Sequence, residues 1–296
     1  MNSSEAKLIY ANNGQAERGY KGIPSFVDWQ KASVDLEGWN QAMAGLNELG
    51  EVSADLLRRM RIIIKRAANS IKGRDNSRSP LDDAVQSAMW LAAMNEKGED
   101  AQPAIQSQLL AYDHVINAAV KNSEVSQDWI RELHARICRT QKTYEVATAN
   151  GVKEKTLRLG EYKRVPNHVP SSIERGPIYA PVCLAQAEMN RLCEELNGNI
   201  FRAAHPVHQA SYALYSFLLI HPFADGNGRV ARSLALLFTY RSNSIPMLAL
   251  TQKRSVYVSS LIGASRGDVQ PLIDFVGERA IDAIRLMEGR IRASLC

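Results

Sequence analysis

The sequence predicts a mostly α-helical fold with one small β element. Three observations carry that reading. Most of the chain places apolar residues at i, i+3 and i+4, the spacing of a helix with one face in a core. Residues 151–182 break that period with three Gly, four Pro and several β-branched residues, as a hairpin or extended flap would. Apolar residues make up 45% and charged residues 23%, enough for a sizeable core.

In chain order, residues 1–35 are polar and interrupted by Gly and Pro, and read as an irregular arm. Residues 36–122 read as an N-terminal helical region. It opens with "WNQAMAGLNELG", and a Ser-capped start follows at "EVSADLLRR". A Gly/Asn/Ser/Pro break, "IKGRDNSRSPLDD", precedes "AVQSAMWLAAMNE" and "PAIQSQLLAYDHVINAAV". Residues 123–296 read as a core with a flap and C-terminal helices. Its helical runs are "SQDWIRELHARIC", "CLAQAEMNRLCEELN", "HPVHQASYALYSFLLI", "RVARSLALLFTYRS" and "DVQPLIDFVGERAIDAIRLMEGRI". There is no internal repeat.

The formal charge of +5 could attract polyanions, and the densest basic cluster is "RRMRIIIKR" at 58–66. On a helix its apolar residues Met60 and Ile64 share a face with Leu57 and Ala67, so the cations read as a solvated surface. Nucleic acid is therefore not an expected partner. Cys138, Cys183, Cys193 and Cys296 lack C-x-x-C spacing, which argues against a disulfide framework or thiolate zinc site. The opening lacks the features of a signal peptide, and no apolar run reaches the ~18 residues of a membrane span. A cytoplasmic setting without membrane insertion is the expectation.

The chemistry is concentrated in "HPFADGNGRVAR", residues 221–232. It joins two apolar helices by a short bend. Gly226 and Gly228 tolerate positive φ, so backbone N–H groups can turn inward beside a helix N-terminus and bind an anion such as phosphate. Arg229 and Arg232 share the first turn, against the helix dipole, which suits an anion between them. Asp225 beside such a cradle suggests a divalent cation, Mg²⁺ above all. His221 is placed to take a proton near neutral pH. Phe223 reads as the anchor of the nucleotide-binding loop. A tight turn kept for its glycines would have no use for the histidine and both arginines.

These residues match the Fic family signature, His-Pro-Phe-x-Asp/Glu-Gly-Asn-Gly-Arg-x-x-Arg, at every fixed position. "IRELHARI", "GEYKR" and "YAPV" resemble Fic segments in the family's order, across roughly residues 40–285. The resemblance implies a helical enzyme that transfers AMP from ATP to a Ser, Thr or Tyr hydroxyl of a target protein. By position, His221 would deprotonate that hydroxyl and Asp225 would hold Mg²⁺ against the phosphates. Gly226, Asn227 and Gly228 would form the anion nest, Arg229 would contact phosphates, and Arg232 would reach the γ-phosphate. Residues 160–180, with Lys163 and Arg164, would be the flap that aligns the target by strand addition. A non-catalytic nucleotide-binding regulatory module, or transfer of another phosphate-containing group, stands as the alternative. A homodimer is compatible with the exposed helical faces.

One departure concerns regulation. Many Fic proteins carry an inhibitory helix, Ser/Thr-x-x-x-Glu-Gly/Asn, whose Glu pairs with the second motif arginine. The corresponding place here is "AANSIKG", with Ala68 for Ser/Thr and Lys72 for Glu. "AAMNEKG", with Ala92 and Glu96, matches no better. A lysine would repel Arg232, so the expectation is constitutive activity or restraint by another segment or a partner. Lys72→Glu is expected to lower turnover; unchanged turnover contradicts the alignment.

Two weaker patterns occur. Gly14 to Gly19 has P-loop glycine spacing without the Lys-Ser/Thr that should follow. His205 and His208 are three apart, as metal ligands can be, but read better as the packed start of a helix. His134 reads as structural.

Overall fold

The computed structural model describes residues 19–48, 102–148, 151–167, 178–243 and 254–295. The sites expected at Ala68, Lys72 and Glu96, and the basic cluster at 58–66, lie outside them. The described elements are α1 (Phe26–Trp29), α2 (Leu36–Asn47), α3 (Gln102–Val120), α4 (Gln127–Ile137), β1 (Thr143–Thr148), β2 (Gly151–Thr156), α5 (Val182–Asn197), α6 (Asn199–Ala203), α7 (Pro206–Ile220), α8 (Asn227–Asn243), α9 (Arg254–Ser265) and α10 (Gln270–Leu295). None of these helices is long and apolar enough to cross a membrane.

The fold is organised around α7. A helix apolar on every face belongs inside, and α7 is buried at Val207, Gln209 through Phe217 and Ile220. Its start is defined by Pro206 at the first turn and by His205, whose Nδ1 accepts from the Val207 N–H at 3.2 Å. Helices α8, α5 and α10 pack around it. On the outer side of α8 lie α3 and α4, while α2 and α9 cover α10. A Ser126 cap begins α4, its hydroxyl accepting from the Trp129 N–H, and Asp35 caps α2 through the Gly38 N–H.

The described part of the expected arm is docked on this core. Ile23, Phe26 and Trp29 are buried. The Trp29 indole donates to Ser211 Oγ at 3.0 Å, and the Tyr212 hydroxyl donates to the Pro24 carbonyl at 2.8 Å. Phe26 meets Phe201 and Tyr212 edge to face. Two aromatics three residues apart on one helical turn suffice to bury the segment, a signal that polar neighbours dilute.

The hairpin also differs in place. β1 and β2 pair antiparallel over 143–156, with Thr143 opposite Thr156 and Thr148 opposite Gly151. It starts eight residues before the tract that lost helical period, and 157–167 contain no strand. Lys163 and Arg164 therefore lie after the hairpin, in extended chain that docks on the core.

Candidate functional site: the bend between α7 and α8

The bend is locked from several directions. His221 closes α7 in the left-handed region, φ 51° and ψ 56°, with its N–H donating to the Phe217 carbonyl at 2.9 Å. A non-glycine residue held at positive φ stores strain that its surroundings must oppose, a pattern that clusters at functional sites. Lys163 supplies part of that opposition. Its backbone N–H donates to Pro222 O at 2.7 Å, and its Nζ to Ile220 O at 3.3 Å, so one residue grips both neighbours of His221. Arg164 instead points to solvent and pairs with Glu161 at 2.9 Å.

The imidazole of His221 is held in one tautomer. Its Nδ1 faces the Leu218 carbonyl at 3.1 Å and must donate, since that oxygen can only accept. Nε2 therefore carries the lone pair. Tyr179 stacks on the ring, centroids 3.9 Å apart, held there because the Ala180 N–H donates to Leu219 O. Burial pushes His221 down to about 4, aided by the nearby Lys163 cation and opposed by the Leu218 bond and Asp225. Lys163, 4% exposed, is itself lowered by burial to about 7.

After His221 the chain turns on a buried cluster. Phe223 is fully enclosed, its ring stacked on His134 at 3.9 Å. Asn227 clamps it from the other side: Oδ1 accepts from Phe223 N at 3.0 Å and Nδ2 donates to Phe223 O at 2.8 Å. Asn167 Nδ2 reaches the same carbonyl at 2.9 Å. Phe223 and the Asn227 side chain thus shape the bend from within, and only backbone is left for a nest at Asn227. Gly226 takes φ 78° as expected. Gly228 does not; it lies in α8, where an added Cβ would sit 3.3 Å from a terminal guanidinium nitrogen of Arg232. The left-handed residues of the bend are thus His221 and Gly226, because α8 begins at Asn227, two residues before the expected start.

The N–H groups of Asn227, Gly228 and Arg229 have no backbone acceptor among the described residues, whereas Val230 N already bonds Gly226 O at 3.1 Å. Three first-turn donors beside Arg229 and the Arg232 guanidinium make an electropositive cluster. Asp225 borders it. Its Oδ1 accepts from Gly226 N and its Oδ2 from Gln141 Nε2, both at 2.6 Å. Gln141 Oε1 accepts from Arg229.

His134 underlies the site. Its Nδ1 accepts from Gly160 N at 2.9 Å and its Nε2 donates to Asp225 O at 3.1 Å, so both nitrogens are satisfied in the neutral ring. Burial pushes it down to about 4 from an ordinary 6.5. The unfolded chain then binds a proton that the fold excludes, so this stability is present above pH 6.5 and is lost as pH falls toward 4. His134 alone should cost about 2 kcal/mol between pH 7 and 5. Denaturant titration at the two pH values checks this, and His134→Phe should remove that share of the slope, leaving the parts due to His205 and His221; an unchanged slope contradicts it.

His205 and His208 are used in packing. His205 caps α7 and meets Trp39 edge to face, and His208 Nε2 donates to Ala32 O at 2.9 Å. Sequence reasoning missed Gln141, Asn167 and Tyr179 as contributors to the bend. Their partners lie 84, 56 and 42 positions away, respectively, beyond any local pattern.

A model of the Fic/DOC family matches residues 124–239, which contain the whole bend. The chain is similar to protein adenylyltransferase Fic of Drosophila persimilis, 30% identical over 186 residues, covering 63% of this chain and 33% of that protein. It is similar also to protein adenylyltransferase fic-1 of Caenorhabditis briggsae, 29% identical over 174 residues, covering 59% and 31%. The chain thus spans about a third of the length of these curated relatives. Among solved structures, a Fic domain containing signaling protein from Bacteroides thetaiotaomicron superposes with a TM-score of 0.58 at 20% identity, covering 86% of this chain and 97% of that one. Fic-1 from C. elegans follows at 0.52 and 18%, covering 87% and 84%. The chain shares the helical fold of these Fic structures, and it carries a Fic/DOC-family domain across residues 124–239.

Proposed function

We propose that this chain is a protein adenylyltransferase that moves AMP from ATP onto a Ser, Thr or Tyr hydroxyl of a target protein. One observation carries the reading. An oriented imidazole with its Nε2 lone pair available stands at one end of a bend whose other end offers amides without a backbone acceptor among the described residues, and two arginines. A phosphate cradle alone would need no base. The relatives named protein adenylyltransferases support AMP as the transferred group.

In the reaction the target oxygen attacks the α-phosphorus of ATP, the bond from that phosphorus to the bridging α–β oxygen breaks, and pyrophosphate leaves with the electron pair. The hydroxyl proton passes to His221 Nε2. Amides at the start of α8, Arg229 and Arg232 hold the phosphates and offset the charge that develops on them. Depressed basicity keeps His221 neutral at pH 7, so the base is ready before substrate arrives.

Mg²⁺ fits the residues present. It takes one or two protein carboxylates and completes its shell with phosphate oxygens and water. Asp225 offers one partly exposed carboxylate whose hydrogen-bond partners are neutral donors, leaving lone pairs for a cation. No group of three or more His, Cys, Asp or Glu able to hold a metal occurs among the described residues, so the nucleotide would supply the remaining oxygens. Bound there, Mg²⁺ would neutralise phosphate charge.

The reading implies a protein target presenting a hydroxyl and leaves room for a regulatory partner. Incubation with ATP labelled on the α-phosphate, with Mg²⁺ and a lysate of candidate targets, tests it. Label on the chain or a target supports transfer; nucleotide binding without label favours the regulatory module.

A further inference from the structure

We propose that Gln141 is a positioning residue of the phosphate site, holding the carboxylate of Asp225 and the guanidinium of Arg229 in mutual register. The proposal rests on the reading of the bend as a site for Mg²⁺ and a nucleotide. Gln141 lies outside the signature, in the loop between α4 and β1. Its amide spends both ends on charged partners: Nε2 donates to Asp225 Oδ2 at 2.6 Å, and Oε1 accepts from Arg229. Nε2 also donates to Thr143 O at 3.1 Å, fixing the amide to the first residue of β1.

The chemistry explains why a neutral amide is suited to this place. An acid and an arginine four positions apart would otherwise reach for each other, and a direct pair would occupy the carboxylate that a cation needs and the guanidinium that a phosphate needs. Glutamine presents a donor to the acid and an acceptor to the base, so each is oriented while its charge stays uncompensated. A carboxylate at 141 would neutralise Arg229, and a lysine would neutralise Asp225; neither keeps both charges available. Groups that orient metal-binding carboxylates typically change metal affinity about 10- to 100-fold when removed.

The arrangement also ties the site to the hairpin. The Leu157 N–H donates to Lys142 O at 2.8 Å, closing the hairpin base one residue from Gln141. Burial raises the Tyr144 phenol, and the Asp225 charge adds to it, in keeping with β1 lying beside the acid. A displacement of the hairpin would therefore pull on Gln141.

Gln141→Met keeps length and shape while removing all three side-chain hydrogen bonds, so a space-filling role predicts no change. The experiment titrates Mg²⁺ into the full chain holding an ATP analogue whose α–β bridging oxygen is replaced by an imido group, follows binding by calorimetry, and repeats nucleotide binding in EDTA. Wild type should bind the analogue more tightly with Mg²⁺. In Gln141→Met the Mg²⁺ dependence should weaken about 10- to 100-fold, with the melting temperature unchanged and EDTA binding less affected. A Mg²⁺ dependence within about twofold of wild type overturns the proposal. So does an equal loss with and without Mg²⁺ alongside a lowered melting temperature, which marks a structural role. Failure of the wild type itself to bind the analogue removes the underlying reading as well.

Discussion

His221→Ala should lower AMP transfer about 10²- to 10⁴-fold, the contribution of a positioned general base, while nucleotide affinity stays near that of wild type. The split follows from the geometry. On the proposed reading the imidazole would take the hydroxyl proton, and the phosphates would be held by α8 amides and arginines that the substitution leaves in place. The pH profile gives an independent signature. Because burial holds His221 at about 4, kcat/KM for the wild type should stay flat from pH 7 down to about 5 and fall only below that. A histidine at its ordinary value would lose activity near 6.5. In His221→Ala the acid limb should vanish with the activity. A limb centred near 6.5, or transfer surviving in the variant, contradicts the role.

Gly226→Ala should damage both stability and the site. Two independent costs act at this position. The backbone sits at φ 78°, where an L side chain costs about 1–2 kcal/mol. An added Cβ would also lie 2.5 Å from Cys138 Sγ and 3.3 Å from the His134 ring, an overlap of the kind that costs about 1–3 kcal/mol. Together they predict a loss of about 2–5 kcal/mol and displacement of the neighbouring Asp225. The double variant Cys138→Ala/Gly226→Ala separates the two, because it removes the steric part and keeps the strain. It should recover part of the stability and little of the activity. Wild-type melting and turnover in Gly226→Ala would contradict the geometry of the bend.

The residues of the bend were legible because their chemistry is local. A histidine, an acid, glycines and two arginines within twelve positions state a function before any tertiary contact is known. The apolar run before His221 likewise announced a buried helix, and α7 is the centre of the fold. What stayed hidden depends on distant chain. Gln141 looks like any polar loop residue until the fold sets it between Asp225 and Arg229. Lys163 reads as a residue of the flap, yet it is buried with its Nζ on the end of α7. The left-handed turn at His221 was unreadable, because sequence assigns positive φ to glycine by default. The hairpin at 143–156 had a usable signal, Asn150-Gly151 between β-branched residues. Charged side chains along 153–155 masked it.

The central claim is that a nucleotide triphosphate lies at the start of α8, between His221 and Arg232. A crystal structure with Mg²⁺ and a non-hydrolysable ATP analogue tests it most directly. The account predicts phosphate density against the amides of Asn227 through Arg229, with the Asp225 carboxylate at the cation and His221 Nε2 open toward the α-phosphorus. Nucleotide bound on another face, or a bend filled by its own side chains under saturating ligand, would contradict it.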